Sequence, residues 1–168
     1  MITEVYWTQE KFPGQIALIP RPRGNDWLED EALAWKNAGL DVIVSMLESD
    51  EIHSFGLERE AEYCKSNGIE FFSFPVTDRS VPNLNEHFFY QLEELKKLLL
   101  GGKNIGIHCR QSIGRAPLLA ALLMILFGIT PNEAFRQLSL ARGLQVPETL
   151  EQKEVAETFY QKEAVMLT

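Results

Sequence analysis

The stretch Ile105-Gly106-Ile107-His108-Cys109-Arg110-Gln111-Ser112-Ile113-Gly114-Arg115 decides the fold. Its first residues, Ile105 to Ile107, read together with the preceding Asn104 as a short buried strand. Those after Arg115 stay apolar through Phe127 and read as a long buried helix. A strand that turns directly into a helix aims the first N–H groups of that helix at the turn, where they lack intrahelical partners and carry the positive end of the helix dipole. Such a turn binds anions. Gly114 suits a backbone that bends sharply and approaches a ligand, and Pro117 fits the first helical turn, where its missing N–H costs nothing.

Within this turn a thiol and a cation stand six residues apart. A thiol is mostly protonated near neutral pH, and a helix N-terminus with a nearby cation stabilises the thiolate, so Cys109 is a candidate nucleophile. The planar guanidinium of Arg115 can make two parallel bonds to phosphate oxygens, which a lysine cannot.

Working outward, Ile16-Ala17-Leu18-Ile19 reads as a strand stopped by Pro20. A helix from Trp27 to Ala38 follows, capped by Asn25 or Asp26 and closed by Gly39. Val42 to Met46 is a buried strand, Leu57 to Asn67 a short helix ended by Gly68, and Ile69 to Phe74 a strand ended by Pro75. Leu84, Phe88, Leu92, Leu95 and Leu99 recur at helical spacing. Thr130-Pro131-Asn132-Glu133 is a capped helix start, with a stop at Gly143. A last helix spans roughly Leu150 to Val165.

Strands alternating with helices predict an α/β fold: a single domain over residues 1–168, with a central, mostly parallel sheet flanked by helices on both faces. Ligands of such sheets sit at the carboxyl ends of the strands, where the Cys109 loop lies.

The 168 residues, 45% of them hydrophobic, suffice for one core. The net charge of -8 and a pI near 4.9 argue against nucleic acid or an anionic membrane as a partner. The acidic clusters Glu29-Asp30-Glu31 and Glu48/Asp50/Glu51 read as solvated faces. Two cysteines, with no secretory leader or apolar run of membrane-spanning length, predict a cytoplasmic protein, monomeric by default. Cys64 reads as a small core residue. No metal-ligand spacing such as C-x2-C is present, and no cofactor is expected.

His-Cys-x5-Arg between a strand and a helix resembles the signature of the cysteine-dependent protein tyrosine phosphatases, and a chain this short is most similar to their small, atypical dual-specificity branch. The resemblance runs from about Ile16 to Tyr160. It implies a dual-specificity phosphatase-like fold. It also implies hydrolysis of phosphotyrosine, and of phosphoserine or phosphothreonine, through a cysteinyl-phosphate without a metal. Cys109 is then the nucleophile. The backbone of Arg110, Gln111, Ser112, Ile113 and Gly114, with the Arg115 side chain, binds the phosphate. Asp78, in Asp78-Arg79-Ser80-Val81-Pro82 about thirty residues before Cys109, matches the general acid. His108 is implied to support the loop backbone. Glu148 and Gln152, in Pro147-Glu148-Thr149-Leu150-Glu151-Gln152, match the segment that positions water for the second step; otherwise Gln152 is a polar residue on a first helical turn.

Three positions depart from the family pattern. Ser112 stands where glycine is usual, so its side chain either points away or narrows the pocket. Ala116 replaces the hydroxyl that normally assists thiolate release, which predicts slow hydrolysis of the phosphoenzyme. Glu148 stands where larger relatives have glutamine. The expected partner is a phosphoprotein or a small phosphate ester. A non-protein ester, such as a phosphoinositide, inositol phosphate or RNA 5′ end, and a phosphate-binding pseudo-phosphatase are the alternatives. Arg21 and Arg23, which follow a strand end, either border the pocket or are surface charges.

Overall fold

The computed structural model describes residues 3–166, so the outermost residues of the expected 1–168 span lie outside the described residues. The apolar runs form strands β2 Gln15–Leu18, β3 Val42–Ser45, β4 Glu70–Ser73 and β5 Ile105–His108, preceded by β1 Tyr6–Lys11. They make one sheet in the order β1-β2-β5-β3-β4. β5 lies between β2 and β3, with Ile105 opposite Ile16 and Val42, and Ile107 opposite Leu18 and Val44; this central place explains its unbroken apolar run. β2, β5, β3 and β4 pair in parallel, and β1 pairs antiparallel with β2, so the sheet is mixed. The sequence expectation omitted β1. On that edge strand only Thr8 is buried, so no two-residue alternation marks it.

Helices cover both faces. α1 Leu28–Asn37 and α3 Glu60–Ser66 bury Ala32, Trp35 and Cys64 against Ile19, Leu40 and Ile43. α4 Glu86–Leu100, α5 Arg115–Leu126, α6 Pro131–Arg142 and α7 Leu150–Met166 contribute to the core on the other face. α5 is buried from Arg115 to Ile125, the pattern of a helix enclosed on all sides. α6 has the expected ends: Thr130 accepts a hydrogen bond from the Glu133 N–H, and Gly143 takes the left-handed conformation at φ 82°.

Two helix boundaries differ from expectation. The first helix opens with a 3-10 turn over Asn25–Trp27 in which Asn25 has φ 53°, and neither Asn25 nor Asp26 caps α1 through its side chain. Between β3 and α3 a further helix, α2 Ser49–Ser54, was not anticipated. It is too short for periodicity to register. A reciprocal cap between Glu48 and Glu51 closes its first turn, with glutamate in the place usually taken by serine or threonine.

Candidate active site

The loop from Cys109 to Gly114 leaves the carboxyl end of β5 and runs into α5. Its carbonyls are held from outside: Arg142 Nη2 donates to the Gln111 oxygen at 3.1 Å, and Arg21 Nη1 approaches the Arg110 oxygen at 3.5 Å. Among the described residues, none of the backbone N–H groups of Arg110 to Gly114 donates a hydrogen bond. Five donors are thereby left for a ligand, as the strand-to-helix turn predicted. Cys109, 3% exposed, lines a cavity of about 220 Å³. Asp78, Arg79, Arg110, Gln111, Ile113, Gly114, Arg115 and Glu148 complete its lining. A larger depression of about 560 Å³ lies along α1, but its only charged side chain is Asp30.

Ser112 does not narrow the cavity. Its φ of 58° turns the side chain inward, where it is fully buried and Oγ donates a short hydrogen bond to the Ile19 carbonyl of the β2 exit. A residue for which glycine is easiest is held in the left-handed region by a bond that glycine could not make.

Arg115, 2% exposed, is gripped end-on by a residue that the sequence reading placed on a solvated face. Its Nη1 and Nη2 donate to the two carboxylate oxygens of Glu51 at 2.7 and 2.9 Å, and Nη1 also donates to the Val76 carbonyl at 2.7 Å. Glu51 is 8% exposed and therefore not a solvated charge. Burial pushes its carboxyl up, but hydrogen bonds from Arg115 and from the Glu48 N–H outweigh burial and hold it below the ordinary range. Burial likewise opposes the charge on Arg115, which Glu51, Cys109 and Asp78 together restore and strengthen. The second Nη2 hydrogen points at Asp78 Oδ1, 3.2 Å away, and Nε has no hydrogen-bond partner among the described residues. The Nε/Nη2 side of the guanidinium is thus the edge open to a phosphate, once Asp78 yields its contact. The sequence predicted the bidentate group but missed the carboxylate that occupies its other edge.

Asp78 reaches the cavity on the segment leaving β4. Its neighbour Arg79, at φ 65°, pairs with Glu148 at 2.9 Å and so joins the acid loop to the start of α7. Gln152 is fully buried: Nε2 donates to the Ser80 carbonyl at 3.1 Å, and Oε1 accepts from the Thr149 N–H. Both side chains abut the loop at Gly114, where an added Cβ would stand 2.9 Å from Gln152 Nε2 and from Glu148 Oε1. Gly114→Ala should therefore displace both, lowering turnover about 10- to 100-fold with phosphoenzyme accumulating, as rapid acid quench would record. An unchanged steady-state phosphoenzyme level would show that these side chains do not serve the second step.

His108 is fully buried and its main partner is not the loop backbone. Nε2 lies 2.6 Å from Glu60 Oε2, the imidazole stacks on Trp35 with centroids 6.3 Å apart, and Nδ1 reaches the Cys109 carbonyl only at 3.5 Å. The expected contact with the loop backbone is present, and a shorter bond to Glu60 also anchors His108 on α3. Glu60 carries no motif that could have flagged it. Cys64, also on α3, lies on the opposite sheet face from Cys109, and burial pushes its thiol up to about 12, so it is a packing residue. Ala116 is fully buried in the first turn of α5.

This sheet, with a Cys-x5-Arg loop at the carboxyl end of its central strand, is the fold of the protein tyrosine phosphatases, and the chain resembles their small dual-specificity branch. No family model matches the chain. Cyclin-dependent kinase inhibitor 3 of Rattus norvegicus is 24% identical over 135 residues, and that of Mus musculus 25% over 134, each alignment covering 79% of this chain and 63% of the relative. The chain thus spans less than two thirds of these curated relatives. Among solved structures, kinase associated phosphatase with its catalytic cysteine replaced by serine aligns with TM-score 0.85 at 20% identity, covering 98% of this chain and 97% of that one. Tk-PTP in its active form aligns with TM-score 0.71 at 23% identity, over 90% and 95%. PTPMT1 in complex with PI(5)P aligns with TM-score 0.70 at 17% identity, over 95% and 98%. Among the described residues, no helix is long and apolar enough to cross a membrane.

Proposed function

We propose that this chain is one catalytic domain of a cysteine-dependent protein phosphatase, hydrolysing phosphotyrosine and also phosphoserine or phosphothreonine. The observation that carries the reading is that Cys109, Arg115 with its open edge, Asp78 and a loop whose N–H groups have no partner among the described residues meet at one cavity. The likeness to kinase associated phosphatase, a phosphatase that associates with a kinase, supports a protein substrate. The Cys109 thiolate attacks phosphorus as the ester P–O bond breaks, and Asp78 gives its proton to the departing oxygen. Cysteinyl-phosphate results. Water, deprotonated by Asp78 and positioned by Gln152 and Glu148, then displaces the thiolate and releases inorganic phosphate. The loop amides and Arg115 stabilise charge on the three equatorial oxygens in both steps. We place the enzyme in the cytoplasm, as a monomer.

The test is release of phosphate from p-nitrophenyl phosphate and from phosphotyrosyl peptide in the presence of a chelator, with acid-quench trapping of phosphocysteine. Hydrolysis without a phosphocysteine would overturn the mechanism. Binding of phosphate without any hydrolysis would make the chain a phosphate-binding module. With alanine at position 116, the second step should limit turnover. Ala116→Ser should speed phosphoenzyme breakdown about tenfold, because a hydrogen bond to a departing thiolate is worth at least ~1.5 kcal/mol. Unchanged breakdown in single-turnover measurements would remove that explanation.

A further inference from the structure

Two arginines share one aromatic ring beside the cavity. The guanidinium carbon of Arg21 lies 3.6 Å from the Phe55 ring centroid, and that of Arg110 lies 5.3 Å from it. Arg110 lines the cavity next to Cys109, Arg21 follows the β2 exit, and Phe55 closes α2, the helix that carries Glu51. Three separate segments therefore converge on this spot, which sequence distance hid: Arg21 and Arg110 are 89 positions apart.

Among the described residues neither guanidinium forms an ion pair. The carboxylate whose field reaches both is Glu51, and its two oxygens are already committed to Arg115. Like charges stacked on one ring repel one another. Burial and the neighbouring Arg110 accordingly lower the proton affinity of Arg21, against a smaller opposing pull from Glu51. An anion placed between the two cations would relieve that repulsion, and a guanidinium fork matches a phosphoryl or carboxylate group.

We infer that Arg21, Phe55 and Arg110 form a subsite for a second anionic group, phosphoryl or carboxylate, on a phosphopeptide whose scissile phosphate lies at Cys109. The inference rests on the phosphatase reading above and names the substrate class within it. A peptide is favoured over an inositol lipid because a chain of net charge -8 is repelled by the anionic bilayer that would present the lipid. Phe55 holds the two guanidinium planes while their N–H edges grip the anion.

Binding is read by calorimetry in the Cys109→Ser background, where no turnover intrudes. The probes are a phosphotyrosyl peptide with neutral flanks, one with flanking glutamates, one with a second phosphorylated residue, and a soluble inositol bisphosphate. The peptides with a second anion should bind about tenfold tighter than the neutral-flanked one. A preference for the second phosphoryl group identifies phosphate as the occupant, and equal binding identifies either anion. Arg21→Ala should erase the difference, while Arg21→Lys, which keeps the charge, should retain part of it. Survival of the tenfold difference in Arg21→Ala would overturn the subsite, whatever common weakening follows from losing the Arg21 contact with the Arg110 carbonyl. Absence of any preference in the parent, or tightest binding of the inositol bisphosphate, would overturn it as well. A wild-type chain that hydrolyses no ester would defeat the phosphatase reading alone, since the binding comparison stands without catalysis.

Discussion

Cys109→Ser should abolish turnover, lowering kcat by roughly 10⁵-fold or more, while phosphate and vanadate still bind. A hydroxyl is far less ionised than a thiol, and the loop donors do not suffice to make an alkoxide near neutral pH. The substitution changes one atom in a side chain that is 3% exposed, so the loop and its five N–H groups should keep their geometry. Ligand binding depends on those groups and on Arg115, and survives. Phosphocysteine trapping should fall to nothing in the same variant. Residual hydrolysis above about a thousandth of the wild-type rate would mean that some other group attacks phosphorus, and the two-step scheme would fail with it.

The nucleophile and its loop were legible in the sequence because they are contiguous. Strand, turn and helix follow one another within about twenty residues, and each signals itself by local chemistry. Asp78 was legible only through a short motif, and its arrival at the cavity follows from leaving the carboxyl end of β4. Glu51 was misread. It sits in an acidic run that composition assigns to solvent, on a helix of six residues, and it faces Arg115 from 64 positions away. Nothing local distinguishes a carboxylate that will be buried on an arginine from one that will be hydrated. Glu60 escaped for the same reason, since its partner His108 lies 48 positions on. The edge strand β1 escaped because an edge is half solvated and shows no clean alternation. What remained hidden is the set of long-range polar pairs that hold legible catalytic groups in place.

Those pairs give Arg115→Lys its expected size, a fall in kcat/KM of about 10³-fold. A lysine keeps the charge but presents one nitrogen, where Arg115 makes two bonds to Glu51, one each to the Val76 and Met46 carbonyls and one to Asp78, and still leaves Nε for substrate. It therefore cannot hold Glu51 and also offer a flat edge to two phosphate oxygens. Loss of preorganised donors to the equatorial oxygens accounts for the rate, which should fall mainly in kcat. Stability should also drop, by about 3 kcal/mol, because a buried carboxylate loses most of its partners. The pH dependence follows from the direction of the Glu51 shift. Its folded-state carboxyl lies below the ordinary value, so its contribution to stability is present above that ordinary value and fades as pH falls through the lowered one. Arg115→Lys should flatten that acid-side loss in denaturant titrations. Glu51→Gln supplies the control: it removes the buried charge, keeps the shape and leaves the Nε/Nη2 edge in place, so it should cost far less activity than Arg115→Lys. In a Glu51→Gln background, Arg115→Lys should destabilise less than it does alone, since no carboxylate is stranded. Retention of more than a tenth of wild-type kcat/KM by Arg115→Lys would show that a point charge suffices, and that the planar edge is not what stabilises the transition state.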